Sequence, residues 1–215
     1  YPFFCFFFNF FFYITGESLG LAASIIGGFS IFLIIFYTQK IYTILIKNTS
    51  YILNFLLFFN PFLWLMSNRY MPDIFGLSLL VGTLFYLVQS ITFPIKKNLI
   101  LLGVFTGLLL GVRLSYFPFL LPILYLFFHT KNSKYFILST FFFTFLWFLP
   151  WLFITDLNEL IKVGFNDFQG HFLRWGGTIY SDKATFYQRF IKIIESIFAD
   201  SFGMWWTGRH WMTIL

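Results

Sequence analysis

Residues 18–40 read SLGLAASIIGGFSIFLIIFYTQK, and no charge interrupts them before Lys40. About 20 apolar residues in a row are enough to cross the hydrocarbon core of a bilayer as a helix. Gly27-Gly28 and the neighbouring small residues would let another helix approach closely. The same reading applies to 74–94 and to 135–155, where Pro150 is expected to bend the helix. Shorter apolar runs occupy 51–67, 98–112 and 114–129. Each holds about 15 to 17 residues, roughly 22 to 25 Å of helix, against a core of about 30 Å. The expected fold is therefore all-α: a polytopic transmembrane bundle of about six crossings with added interfacial helices.

The charges set the direction of these crossings. Lysines come as Lys40/Lys47, Lys96/Lys97 and Lys131/Lys134, and between Ser18 and Thr155 the only other charges are Arg69, Asp73 and Arg113. Lysine-bearing loops belong on the cytoplasmic side, where anionic lipid attracts them. That rule orders the crossings as 18–38 inward, 51–67 outward, 74–94 inward, 98–112 outward, 114–129 inward and 135–155 outward. Glu17, the turn from Arg69 to Asp73, Arg113 and the chain after Asp156 then share the extracytoplasmic face, in a periplasm or lumen. The segment 1–15 is too short for a full span and reads as an interfacial helix.

Composition narrows the class. Charged residues are 10% and hydrophobic residues 59%, against about 25% charge in an ordinary soluble domain. The net charge of +6 is thus explained by loops at a lipid surface, and no nucleic-acid partner is implied. The single cysteine, Cys5, excludes an internal disulfide and a cysteine-rich metal site. The chain starts at Tyr1 rather than Met and ends as a new apolar stretch begins, so an internal piece of a longer protein is expected.

Three regions follow: a membrane region at 1–155 with its N-terminal interfacial helix, an extracytoplasmic loop at 156–200, and the start of a further membrane segment at 201–215. Within the loop, Phe186, Phe190, Ile193, Ile194 and Ile197 recur at helical spacing with Arg189, Lys192 and Glu195 opposite. Such a helix lies flat on a membrane. Trp205, Trp206 and Trp211 read as an interfacial aromatic belt.

No zinc, phosphate-loop, dinucleotide or nucleophile-elbow motif is present. Three places can carry chemistry instead. The turn Ser67-Asn68-Arg69-Tyr70-Met71-Pro72-Asp73 is polar at a membrane boundary. It is read either as a snorkelling Arg with Asp73 as helix N-cap, or as an anion grip beside a carboxylate that holds a sugar hydroxyl. Arg113 lies at membrane depth, where a cation needs a partner or a wet cavity; a lipid phosphate or a distant acidic residue would serve. The loop 169–178 offers His171 for proton transfer or phosphate binding, Arg174 for a bidentate phosphate contact and Trp175 for stacking on a sugar face. Its alternative is an ordinary loop whose aromatic residues dip into the interface.

The stretches Tyr1-Pro2-Phe3-Phe4, Gly16-Glu17-Ser18-Leu19-Gly20-Leu21-Ala22 and Tyr37-Thr38-Gln39-Lys40 resemble the GT-C superfamily of membrane glycosyltransferases. Within it the likeness is to the protein O-mannosyltransferase and aminoarabinose-transferase type. Pro72-Asp73-Ile74-Phe75-Gly76-Leu77 and the segment from Gly107 to Arg113, followed by Pro118 and Pro122, are similar too. The likeness covers roughly Tyr1 to Phe128 and rests on pattern rather than on one exclusive signature. It implies a GT-C-like bundle that moves a sugar from a polyprenyl-phosphate donor to an acceptor glycan, lipid or protein on the extracytoplasmic face. The family's catalytic carboxylate precedes its Pro-aromatic helix, so here it would lie upstream of Tyr1, and no residue of this chain is assigned as base. On this reading Arg113, Arg174 and Arg69 bind the donor phosphate, while Asp73, Tyr70, His171 and Trp175 shape the sugar or acceptor pocket. No cofactor is required, although a divalent metal stays compatible, and the remaining partners are membrane lipids. The alternative is a non-enzymatic subunit of a larger membrane complex, such as a respiratory one, from an AT-rich genome. The 37 phenylalanines fit that composition.

Overall fold

A chain in hydrocarbon must satisfy each backbone N–H and C=O within itself, and the helix does so locally. The computed structural model describes residues 2–67, 72–112, 116, 119–123, 132–169 and 185–198. Their regular structure is helical throughout: α1 (Pro2–Ile14), α2 (Leu19–Ile46), α3 (Tyr51–Phe58), α4 (Pro61–Ser67), α5 (Asp73–Thr92), α6 (Lys96–Val112), α7 (Ser133–Ile154), α8 (Leu157–Gln169) and α9 (Phe186–Phe198). Among the described residues α2, α5 and α7 are long and apolar enough to cross a membrane. The chain divides into two compact units, Tyr1–Trp151 and Leu152–Leu215.

In the first unit, α1 ends in a Schellman turn. Gly16 N–H donates to the Tyr13 carbonyl (3.2 Å) and Glu17 N–H to the Phe12 carbonyl (2.9 Å), the paired bonds of that motif. Both Gly16 and Glu17 take positive φ, 65° and 64°, a position that suits Gly16 and strains Glu17. Ser18 then caps α2 by accepting from Leu21 N–H at 3.4 Å. Phe3, Phe4 and Phe7 of α1 pack their rings on Phe75 of α5, with centroids 6.1, 6.0 and 5.0 Å away. This short helix is thus seated against the bundle.

The helix α2 runs past the expected exit near residue 38 as far as Ile46. Its 28 residues make about 42 Å of helix, so Lys40 stands on the helix, not in a loop. Nothing in the sequence stops it before Lys47, which turns left-handed (φ 56°). The run 51–67, expected as one crossing, is two short helices. Pro61 has no N–H to continue α3 and is preset for the first turn of a new helix. Asn60 caps that helix, its Oδ1 accepting from Phe62 N–H at 2.9 Å.

Helix directions follow from the contacts. Ile31 and Ile34 of α2 cluster with Ile74 of α5, while Tyr37 meets Phe85, so α2 and α5 run parallel. A Cβ added at Gly76 would meet Val112, and one at Gly82 would meet Phe105, so α6 runs back along α5. Gly103, Gly107 and Gly111 face Ser139, Phe143 and Trp147 in turn, so α7 runs with α6. Lys40, Lys47, Lys96, Lys97 and Lys134 therefore gather at one end of the helices. Lys96 and Lys134 both lie over the Tyr135 ring, 5.3 and 5.5 Å from its centroid. Asp73 and Val112 mark the other end.

The core is apolar, centred on Phe75, Leu79, Leu102, Leu109 and Val112. Its buried polar residues are Ser, Thr and Asn alone among those described. Most bond back to their own helix, as Ser30 does to Ile26 O (2.7 Å), Thr83 to Leu79 O (2.8 Å) and Thr106 to Leu102 O (2.8 Å). Such bonds keep hydroxyls satisfied without water. On the outer face of α7, Phe141, Phe142 and Phe145 stay exposed, a surface suited to lipid rather than water.

In the second unit, α9 begins in a capping box: Thr185 N–H donates to Gln188 Oε1 (2.9 Å) and Gln188 N–H to Thr185 Oγ1 (3.4 Å). Phe186, Phe190, Ile193 and Ile194 are exposed along it. The helix α8 lies where only a loop was expected; in it Leu157, Ile161 and Phe165 repeat at the same helical spacing and are also exposed. The expected crossing at 114–129 falls mostly, and the segment 201–215 wholly, outside the described residues.

Candidate functional site

The acid-bearing end of the first unit holds an open cleft of about 430 Å³ lined by Phe62, Met66, Asp73, Ile74, Leu77, Tyr116 and Phe119. Asp73 occupies the first turn of α5. A carboxylate there is favoured by the partial positive charge of the helix N-terminus. The N-cap position itself belongs to Pro72, which has no side-chain oxygen to offer; the reading of Asp73 as N-cap is corrected by one residue. The reason is local, since Gly76 N–H already reaches the Pro72 carbonyl at 2.7 Å and the helix starts one step later.

Tyr116 closes one wall. Its hydroxyl donates to the Asp73 backbone carbonyl at 3.3 Å, and its ring lies over Gly76, where an added Cβ would come within 2.8 Å of Cε2. Gly76 therefore leaves the space that the tyrosine ring fills. Phe62 and Met66 of α4 supply an apolar wall, and Phe119, 56% exposed, forms the rim. The arrangement is a carboxylate and a phenol beside an apolar surface, able to accept hydrogen bonds from a polyol while holding a hydrocarbon. Among the described residues no group of three or more His, Cys, Asp or Glu side chains comes together.

Of the residues singled out from sequence, Asp73 lies in this cleft. Arg69, Tyr70, Arg113, His171, Arg174 and Trp175 lie outside the described residues. Tyr116, Phe62 and Met66 were missed. For Tyr116 the only signal was indirect: a glycine at Gly76, one turn into α5.

No family model, curated protein or solved structure matches this chain.

Proposed function

We propose that this chain is part of a multi-pass membrane glycosyltransferase of GT-C-like architecture, with about six crossings, the lysine end in the cytoplasm and the 156–200 loop outside. It transfers a sugar from a polyprenyl-phosphate donor. The observation that carries the reading is the cleft at Asp73: a carboxylate beside an apolar wall, at the end of the bundle opposite the lysines. A lipid-linked sugar needs both surfaces at once, hydrogen-bond acceptors for its hydroxyls and an apolar path for its prenyl chain.

In the reaction, an acceptor hydroxyl attacks the anomeric carbon as the bond from that carbon to the phosphate oxygen breaks. The lipid phosphate leaves with the electron pair, and the acceptor proton passes to a base that no residue of this chain is assigned to be. Cations near the phosphate stabilise its growing charge; Arg113, next in the chain after the last residue of α6, takes this role with Arg174 and Arg69. Asp73, Tyr70, His171 and Trp175 hold the sugar or acceptor.

Native mass spectrometry of the protein with decaprenyl phosphate in detergent tests the phosphate role. Arg113→Ala and Arg174→Ala should lose the bound lipid phosphate while membrane insertion stays intact. Removing one charge-assisted hydrogen bond is worth about 1.5 to 3 kcal/mol, at least a tenfold loss. Retention equal to the unsubstituted protein in both variants would remove these residues from the site.

A further inference from the structure

The lysine end carries a second cleft, about 350 Å³, between α2 and the broken run α3–α4. Its floor is Ile31 and Ile35 of α2, its walls are Phe32, Phe58 and Trp64, and its far end holds Lys40. Beside the break at Pro61, Trp64 Nε1–H folds back onto the Phe58 carbonyl, and the two rings meet edge to face as one wall of this space. At the polar end, the Gln39 amide, with its nitrogen turned toward α3, donates to Asn54 Oδ1 (2.9 Å) and Ser50 O (3.0 Å). These polar groups are therefore occupied. Lys40 is exposed and stands over Phe36, 5.5 Å from the ring centroid, and among the described residues no carboxylate lines the cleft.

From Gly28 to Lys40 the groove follows α2 for about 18 Å, close to the depth of one leaflet, about half of a 30 Å core. An apolar trough one leaflet deep, ending in one cation, matches one kind of molecule. We propose that this groove binds a single anionic phospholipid from the leaflet at the lysine end, with an acyl chain along Ile31 and Ile35 and the phosphate at Lys40. The site is separate from the Asp73 cleft and does not depend on the glycosyltransferase reading. A bound lipid here would fill the gap between α2 and the broken run, replacing contacts that a continuous helix would have made.

Gly28 gives a clean way to block it. A Cβ added at Gly28 meets nothing within 4 Å, so Gly28→Leu extends into the groove without striking the backbone. The experiment is native mass spectrometry of the purified full protein, with palmitoyl-oleoyl phosphatidylglycerol and, separately, the matching phosphatidylcholine. The unsubstituted protein should retain phosphatidylglycerol over phosphatidylcholine. Lys40→Gln should cut that preference about fivefold, the worth of one lysine at an anionic surface. Lys40→Arg should keep it, and Gly28→Leu should remove retention of both lipids while circular dichroism stays helical. Equal retention of the two lipids by the unsubstituted protein, or unchanged phosphatidylglycerol retention in both Lys40→Gln and Gly28→Leu, overturns the proposal.

Discussion

Two helix contacts in the first unit are built on glycine and end differently. Between α6 and α7, Gly103, Gly107 and Gly111 recur every four residues and form one stripe. Along it the helices close so tightly that an added Cβ would meet the Phe136 carbonyl at 2.6 Å, the Thr140 carbonyl at 2.9 Å and the Trp147 ring at 2.7 Å. Between α2 and the α3–α4 run, Gly27 and Gly28 are adjacent and so point to different sides. Gly27 presses on Ser67, whose Cβ would lie 2.7 Å from an added one, while Gly28 faces open space. Lipid gives no hydrophobic reward for bringing two helices together, so close approach and interhelical hydrogen bonds have to do it. A stripe at spacing four on a continuous partner closes a seam; a glycine pair facing a broken partner closes one point and leaves a groove.

Breaking the seam should have the largest effect. In Gly107→Leu the new side chain collides with the Thr140 carbonyl and with Phe143 Cβ, both 2.9 Å from the added Cβ. Backbone atoms cannot give way as a flexible side chain can, so the helices must part. Overpacking of this kind costs about 1 to 3 kcal/mol and occasionally more. Thermal unfolding followed by fluorescence size-exclusion should show a clear drop in the monodisperse fraction. A variant that melts like the original protein would mean the seam is not formed in the membrane.

The pair on α2 allows a direct contrast within two residues. Gly27→Val should destabilise by about 1 to 3 kcal/mol, because its Cβ meets the Ser67 backbone. Gly28→Val should fall within about 0.5 kcal/mol of the original, as expected of a position away from packed features. Equal melting of the two variants would say that α4 does not press on α2.

How much of this could be read in the sequence differs by region. The apolar stretch after Ser18 marked α2, yet its end at Ile46 was not legible, because Gln39 and Lys40 look like a membrane exit although a helix can continue past one. Pro61 interrupts 51–67 with a residue that has no N–H to donate, but only the structure shows Asn60 turning the break into a new helix start. The stripe of Gly103, Gly107 and Gly111 was present as a spacing; its meaning depends on Ser139, Phe143 and Trp147, which lie more than 30 positions further on and cannot be matched to it by local pattern. The candidate site shows the same limit. Asp73 stood out as a lone acid in an apolar tract, whereas Tyr116 reaches it across 43 positions through a space that Gly76 leaves empty. Arg69, Arg113, His171, Arg174 and Trp175 stand out by their chemistry and by the side of the membrane the charge pattern gives them, and neither supplies the contacts that make a pocket.

The helix break beside the groove can be tested at its cap. Asn60 Oδ1 accepts from Phe62 N–H (2.9 Å) and, more weakly, from Leu63 N–H (3.4 Å). Asn60→Ala should cost about 1 kcal/mol, the usual worth of an N-cap. Because α4 carries Met66 and Phe62 of the Asp73 cleft and Trp64 of the groove, loosening its start touches both clefts. A melting curve indistinguishable from the original would show that the break is held by Pro61 alone.

A smaller loss than that at the cap sharpens the seam rather than breaking it. Ser139 Oγ–H donates across the seam to the Ile100 carbonyl at 2.8 Å, and Trp147 Nε1–H donates to the Gly107 carbonyl at 2.8 Å. Each carbonyl sits inside α6, where the i+4 amide already serves it, so the cross-helix bond is a second one. Removing the serine hydroxyl therefore leaves no orphaned acceptor, and the loss is the net value of one interhelical bond in a membrane, about 0.6 kcal/mol. Ser139→Ala should melt only slightly below the original protein, and well above Gly107→Leu. If the order were reversed, hydrogen bonding rather than close approach would hold α6 to α7, and the glycine stripe would be a consequence of the seam instead of its cause.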